Sequence, residues 1–167
     1  MKKLLTCLAI LGFAVAIAGC SEPAYEDGTS QEYSDMPLET PATGDGWLTD
    51  FEAAKQLATE KGLPILADFS GSDWCGWCIR LDKEVFSQDE FKAYAEGSVV
   101  LFLADFPQTK PQSEEVKMQN EALAEKYGIR GFPTVLLLDA EGNVLERTGY
   151  QPGGAEKYVE HIKDLLK

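Results

Sequence analysis

The stretch Pro64–Cys78, PILADFSGSDWCGWC, decides how the rest of the chain is read. Its first half belongs to the apolar run LPILADF, too brief for a helix and closed by Ser70-Gly71, which is the pattern of a strand buried on both faces. Asp68 interrupts that run. A carboxylate buried without a partner is costly, so its pKa should rise and equip it to act as a base. An aspartate at a strand edge, open to water, is the plain alternative. The second half carries Cys75 and Cys78 with two residues between them, each preceded by a tryptophan. Such a pair serves as half of a zinc site, as a structural disulfide, or as a redox centre that opens and closes during a reaction.

The other cysteines narrow the choice. The first twenty residues, MKKLLTCLAILGFAVAIAGC, place Lys2 and Lys3 before an uncharged apolar run from Leu4 to Ala18, the layout of a secretory signal. The run is short for a membrane span, which needs about 20 apolar residues. It ends in Ile17-Ala18-Gly19-Cys20, which resembles the lipobox of bacterial lipoproteins, where the cysteine becomes the lipidated first residue of the mature chain. A plain signal peptide or membrane anchor with an incidental cysteine is the alternative. On the lipoprotein reading, Cys7 leaves with the signal, Cys20 carries lipid, and Cys75 and Cys78 alone remain in the exported domain, where disulfides form and persist. A bridge across so small a loop restricts the unfolded chain little, which weakens the structural-staple reading. Closed zinc sites usually take four ligands, and the domain offers this pair and a distant His161, to which no role is given.

Composition sets the scale and excludes some partners. At 167 residues the chain has room for one domain with a proper core plus something smaller at an end. Residues 1–19 read as a signal peptide, 20–46 as a lipidated cysteine and flexible acidic linker, and 47–167 as the folded domain. Without the signal, 13 basic residues stand against 28 acidic ones, a net charge near −15. Such a surface repels nucleic acid.

Within the domain the apolar spacing gives helix, strand, helix, strand, helix, hairpin, helix. LTDFEAAKQLATEKG has Thr49 or Asp50 as N-cap, Phe51, Ala54, Leu57 and Ala58 on one face, and Gly62 as a stop. A helix starts at or near Cys75 and carries Leu81, Val85 and Phe86. SVVLFLADF is a second buried strand, and SEEVKMQNEALAEKYG a helix whose capping box fails at Val116. PTVLLLDAEGNVLERTGY is a hairpin turning at Glu141-Gly142-Asn143, and residues 154–166 form the last helix. Strands joined through helices imply a parallel portion of sheet, and the hairpin adds an antiparallel one. The expectation is an α/β domain, a small mixed sheet with helices on both faces.

A cysteine in the first turn of a helix meets unpaired N–H groups and the positive dipole end, which favour its thiolate over the free thiol. Cys75 takes that place, Cys78 follows one turn on and reaches back to a mixed disulfide, and Gly76 keeps the approach open. Trp74 and Trp77 would wall the site for a client peptide; simple packing is the alternative for Trp74. PILADFSGSDWCGWC resembles the active-site strand and turn of the thioredoxin family, and YGIRGFPTVLLLDAEGNVLERTGY resembles its second signature, the loop and hairpin that face the cysteines. The similarity covers about Phe51 to Leu166. It implies a thioredoxin-like fold, Cys75 as attacking nucleophile and Cys78 as resolving cysteine. Pro133 matches the family's cis-proline, which leaves the backbone of Phe132 free to pair with a bound peptide. Asp68 matches the buried acid that helps move the proton when Cys78 attacks.

This sequence also departs from the family pattern. Trp77 replaces a proline common between the cysteines, the turn from Asp68 to Cys75 is one residue longer, and the connection around residues 106–113 is extended. That loop reads equally as a partner surface and as a surface insertion. The resemblance implies an extracytoplasmic, membrane-tethered thiol-disulfide oxidoreductase, facing the periplasm or cell exterior, that exchanges electrons with protein thiols and disulfides. Reduction is favoured over oxidation, with a membrane electron donor. No cofactor or metal is called for beyond the Cys75–Cys78 disulfide, and a monomer is the default. The rival is a binding module that holds a client around Trp74, Trp77 and Phe132. Copper or other metal delivery lacks an accompanying methionine or histidine cluster.

Overall fold

A computed structural model describes residues 45–167 of the chain. The signal, lipidation at Cys20 and most of the linker lie outside the described residues. The first helix, α1 (Phe51–Lys61), opens on Asp50, whose carboxylate accepts the Ala53 N–H at 3.0 Å, and closes on Gly62 in the left-handed conformation. It is followed by β1 (Ile65–Ser70), α2 (Gly76–Leu81), a π-helical turn (Asp82–Phe86), α3 (Asp89–Ser98) and β2 (Val100–Asp105). Then come α4 (Glu114–Lys126), β3 (Thr134–Leu138), β4 (Val144–Thr148) and α5 (Gly154–Leu165).

The strands form one sheet in the order β2-β1-β3-β4. β1 pairs parallel with β2 and antiparallel with β3, and β3 pairs antiparallel with β4. This is the mixed sheet that the order of elements implied. Every residue of β1 is buried, as a central strand covered on both faces requires. On one face Leu66, Val135 and Leu137 pack with Leu81, Val85, Phe86, Phe91, Tyr158 and Ile162, from the α2–α3 stretch and α5. On the other, Ile65, Ala67, Phe69, Phe102, Leu136 and Leu138 pack with Phe51, Ala54, Leu123 and Tyr127, from α1 and α4 and its C-cap. Full burial of each large apolar side chain contributes about 1.5–3 kcal/mol, so both layers are needed to hold the sheet.

The period of two along β1 has a direct consequence for chemistry. Asp68 is two residues from Leu66 and therefore on the face covered by α2, the helix that bears the cysteines.

The sequence reading had one helix after Cys75; the chain makes two. Beyond Leu81 the turn widens, the Ser87 N–H bonds back to the Asp82 carbonyl at 2.8 Å, and Gln88 is extended (φ −83°, ψ 145°). Asp89 and Glu90 then open α3 with negative charge in its first turn, where the helix dipole favours it. Ser113 caps α4 by accepting the Val116 N–H, while Val116 has no side-chain group to return the bond.

Candidate active site

The turn from Gly71 to Cys75 delivers the cysteine pair. The N–H groups of Trp74 and Cys75 both bond to the Gly71 carbonyl, at 3.2 and 2.8 Å. Gly71 cannot carry a side chain in this arrangement: a Cβ would lie 2.6 Å from the Trp74 ring. Cys75 is the N-cap of α2, its Sγ accepting the Cys78 N–H at 3.2 Å. Cys75 and Cys78 are joined as a disulfide, their Cα atoms 5.2 Å apart. Gly76 is exposed, and a Cβ there would meet no neighbour.

The two cysteines line different spaces. Cys75 borders an open groove of about 390 Å3 with Trp74, Ile129, Arg130, Gly131 and Phe132. The Phe132–Pro133 peptide bond at the groove's edge is cis. Cys78 instead borders a cavity of about 350 Å3 on the sheet side, whose lining includes Trp47, Asp68, Ser70, Asp82, Asp105 and Lys110. The longer turn therefore leaves Asp68 and Cys78 facing the same space.

Asp68 is 5% exposed, and its Oδ1 has no hydrogen-bond partner. Burial first, then the negative charges of Asp105 and Asp82, push its pKa up to about 8 against a weaker opposing hydrogen bond with Ser70. A carboxyl raised this far, on the cavity that Cys78 also borders, is suited to proton transfer near neutral pH.

Aromatic rings wall the site on both sides. Trp74, 44% exposed, donates from Nε1 to the Phe106 carbonyl at 2.8 Å and meets Phe132 edge-on at 5.9 Å. Trp77, 56% exposed, leans on Tyr150 at 5.2 Å, with the Arg80 guanidinium over both rings. Glu84 fixes this second wall, accepting from the Arg80 Nε and the Tyr150 hydroxyl, both at 2.7 Å. The Tyr150 bond, and next that of Arg80, hold its carboxyl below the usual range. Arg80, Glu84 and Tyr150 were absent from the sequence reading, although the i,i+4 pairing of Arg80 and Glu84 was visible in it. His161 exchanges a hydrogen bond of 2.8 Å with Thr148 Oγ1. Among the described residues, no group of three or more His, Cys, Asp or Glu side chains is placed to hold a metal ion.

A central strand running into a helix-capping cysteine, with a second cysteine one turn on and a cis-prolyl loop alongside, defines a thioredoxin-like protein with a dithiol–disulfide centre. The chain belongs to that family: the thioredoxin-like domain matches residues 51–165. It is 41% identical over 104 residues to the disulfide bond reductase DsbH of Chlamydia pneumoniae, covering 62% of this chain and 63% of that one. It is 37% identical over 103 residues to the thioredoxin-related protein DsbJ of the same organism, covering 62% of this chain and 30% of DsbJ. The chain thus spans less than two thirds of the length of either curated relative. Among solved structures, a DsbH oxidoreductase superposes with a TM-score of 0.70 at 35% identity, over 80% of this chain and 95% of that one.

Proposed function

We propose that the chain is a thiol-disulfide oxidoreductase that reduces disulfides of exported proteins. The observation that carries this reading is the division of the cysteines between two spaces: Cys75 toward the open groove, Cys78 toward the cavity shared with Asp68. Exchange needs one sulfur within reach of a partner and a second close to a proton acceptor.

In the reduced enzyme the Cys75 thiolate attacks one sulfur of a client disulfide held in the groove. A Cys75–client S–S bond forms, and the other client sulfur leaves as a thiolate. In molecules whose Asp68 is ionised, a fraction that grows as pH approaches about 8, the Cys78 thiol then gives its proton to that carboxylate and attacks the Cys75 sulfur. The Cys75–Cys78 bond forms, the mixed disulfide breaks, and the second client thiolate leaves into the groove and takes up a proton from water, while Asp68 returns the Cys78 proton to solvent through its own cavity. Two electrons have passed from the pair to the client. A dithiol donor must return the pair to its reduced form by the reverse exchange.

The direction is supported by the likeness to DsbH, named a disulfide bond reductase. The signal and lipobox pattern of residues 1–20 support export and attachment through Cys20 to a bacterial membrane, with the domain facing the periplasm or cell exterior; a monomer is the default, and a membrane-bound electron donor follows from the family resemblance. The catalytic test uses reduced chain and a disulfide-bonded protein. The unaltered chain is expected to release client thiols, Cys75→Ser to release none, and Cys78→Ser to accumulate a mixed disulfide detectable by mass spectrometry. Full activity in Cys75→Ser would refute the mechanism.

A further inference from the structure

The extended connection after β2 is tied to the turn that presents Cys75. Asp73 gathers it: Oδ1 accepts the Gln108 N–H at 3.0 Å, and Oδ2 accepts the Thr109 N–H at 2.6 Å, the Thr109 hydroxyl at 2.5 Å and the Lys110 N–H at 3.0 Å. Four donors converge on one carboxylate. The Thr109 hydroxyl, and next the Gln108 N–H, hold Asp73 well below the usual carboxylate range, so it stays ionised throughout the working pH range.

Bonds on both sides of Asp73 continue the seam. Ser72 donates its N–H and hydroxyl to Asp105 at 2.9 and 2.6 Å and accepts from Lys110 Nζ at 3.0 Å. Trp74 donates to the Phe106 carbonyl, and the Phe106 ring lies 5.0 Å from that of Phe132. The connection therefore backs the Trp74 ring, which also rests on Gly71 and meets Phe132 edge-on. A ring more than two fifths exposed would otherwise be free to change rotamer.

We propose that Asp73 is a positioning residue for client capture: by pinning Gln108–Lys110 against the turn before Cys75, it holds Trp74 as a fixed wall of the groove. This role rests on the exchange activity proposed above. It belongs to binding of a folded or peptide client, for which a preformed wall lowers the cost of ordering on association. No bond from Asp73 reaches either cysteine, and a comparison of oxidants separates its effect on client binding from any effect on sulfur chemistry through Lys110 and Asp105.

The test is a double-mutant cycle on the full chain, with a protein disulfide and glutathione disulfide as alternative oxidants. Asp73→Ala is expected to raise KM for the protein client about two- to tenfold, the range an aromatic contact supplies. Its rate with glutathione disulfide, too small to need the wall, should change less than about twofold. Trp74→Ala should raise the same KM, and Asp73→Ala/Trp74→Ala should do no worse than Trp74→Ala alone. Asp73→Asn keeps Oδ1 but turns an amide toward the donors at Oδ2, and it carries the same cycle should the alanine variant not fold. Additive losses, or equal losses with both oxidants, overturn the role of Asp73 while leaving the activity standing. Absence of exchange by the unaltered chain overturns the activity and this role together.

Discussion

Burial and the charges of Asp105 and Asp82 keep the Asp68 carboxyl protonated up to about pH 8, whereas its ordinary value is 3.8. Between those values the native state holds a proton that the unfolded chain has lost. Stability must therefore fall as pH rises across that window, by about 1.4 kcal/mol per pH unit, and level off above it. Asp68→Asn removes the titration. Urea unfolding at a series of pH values is expected to show a declining midpoint from pH 5 to 8 in the unaltered chain and a flatter profile in the variant; parallel profiles would contradict the burial argument. The same substitution removes the proton acceptor for Cys78, so the mixed disulfide should persist about a hundredfold longer. Its decay in the unaltered chain should quicken with pH up to about 8, and the variant should lose that dependence.

At the scale of elements, the turn between β1 and α2 is the most constrained link. Gly71→Ala would drive a methyl group into the Trp74 ring at 2.6 Å, and the ring is held by Phe106 and Phe132. We expect a loss of about 1–3 kcal/mol, read from urea unfolding, together with a changed tryptophan emission. Unchanged stability and emission would mean that the ring yields freely. The sequence displayed what is local: a cap at Thr49 or Asp50, of which the structure uses Asp50, the Gly62 stop, the buried run of β1, and a helix start at or near Cys75. It also showed that Asp68 was out of place in that run. The break at Ser87–Gln88 was missed because Leu81, Val85 and Phe86 suit one continuous helical face. Ser87 followed by Asp89 and Glu90 was the available signal of a new start. The seam from Asp73 to Thr109 joins residues 36 positions apart. Nothing local distinguishes that aspartate from a solvated turn residue, so its role emerges only when β2 brings the connection alongside.

For the whole molecule, attachment and redox direction decide where the chemistry is used. Cys20→Ser should move the full chain from the membrane fraction to the soluble extracytoplasmic fraction on cell fractionation; unchanged membrane association would contradict lipidation at that residue. Charge acts at the same scale. Arg130 is the charged residue lining the Cys75 groove, on a chain whose formal net charge is −13.

The most direct measurement is the reduction potential of the Cys75–Cys78 pair in the purified chain, by equilibration against glutathione and dithiothreitol with mass-shift alkylation. A reductase should lie near the thioredoxin value of about −270 mV, so that electrons run from the pair to client disulfides. A value near about −120 mV would make the chain a disulfide donor and reverse the proposed direction. A pair that never opens would remove the oxidoreductase reading and leave a groove that only binds.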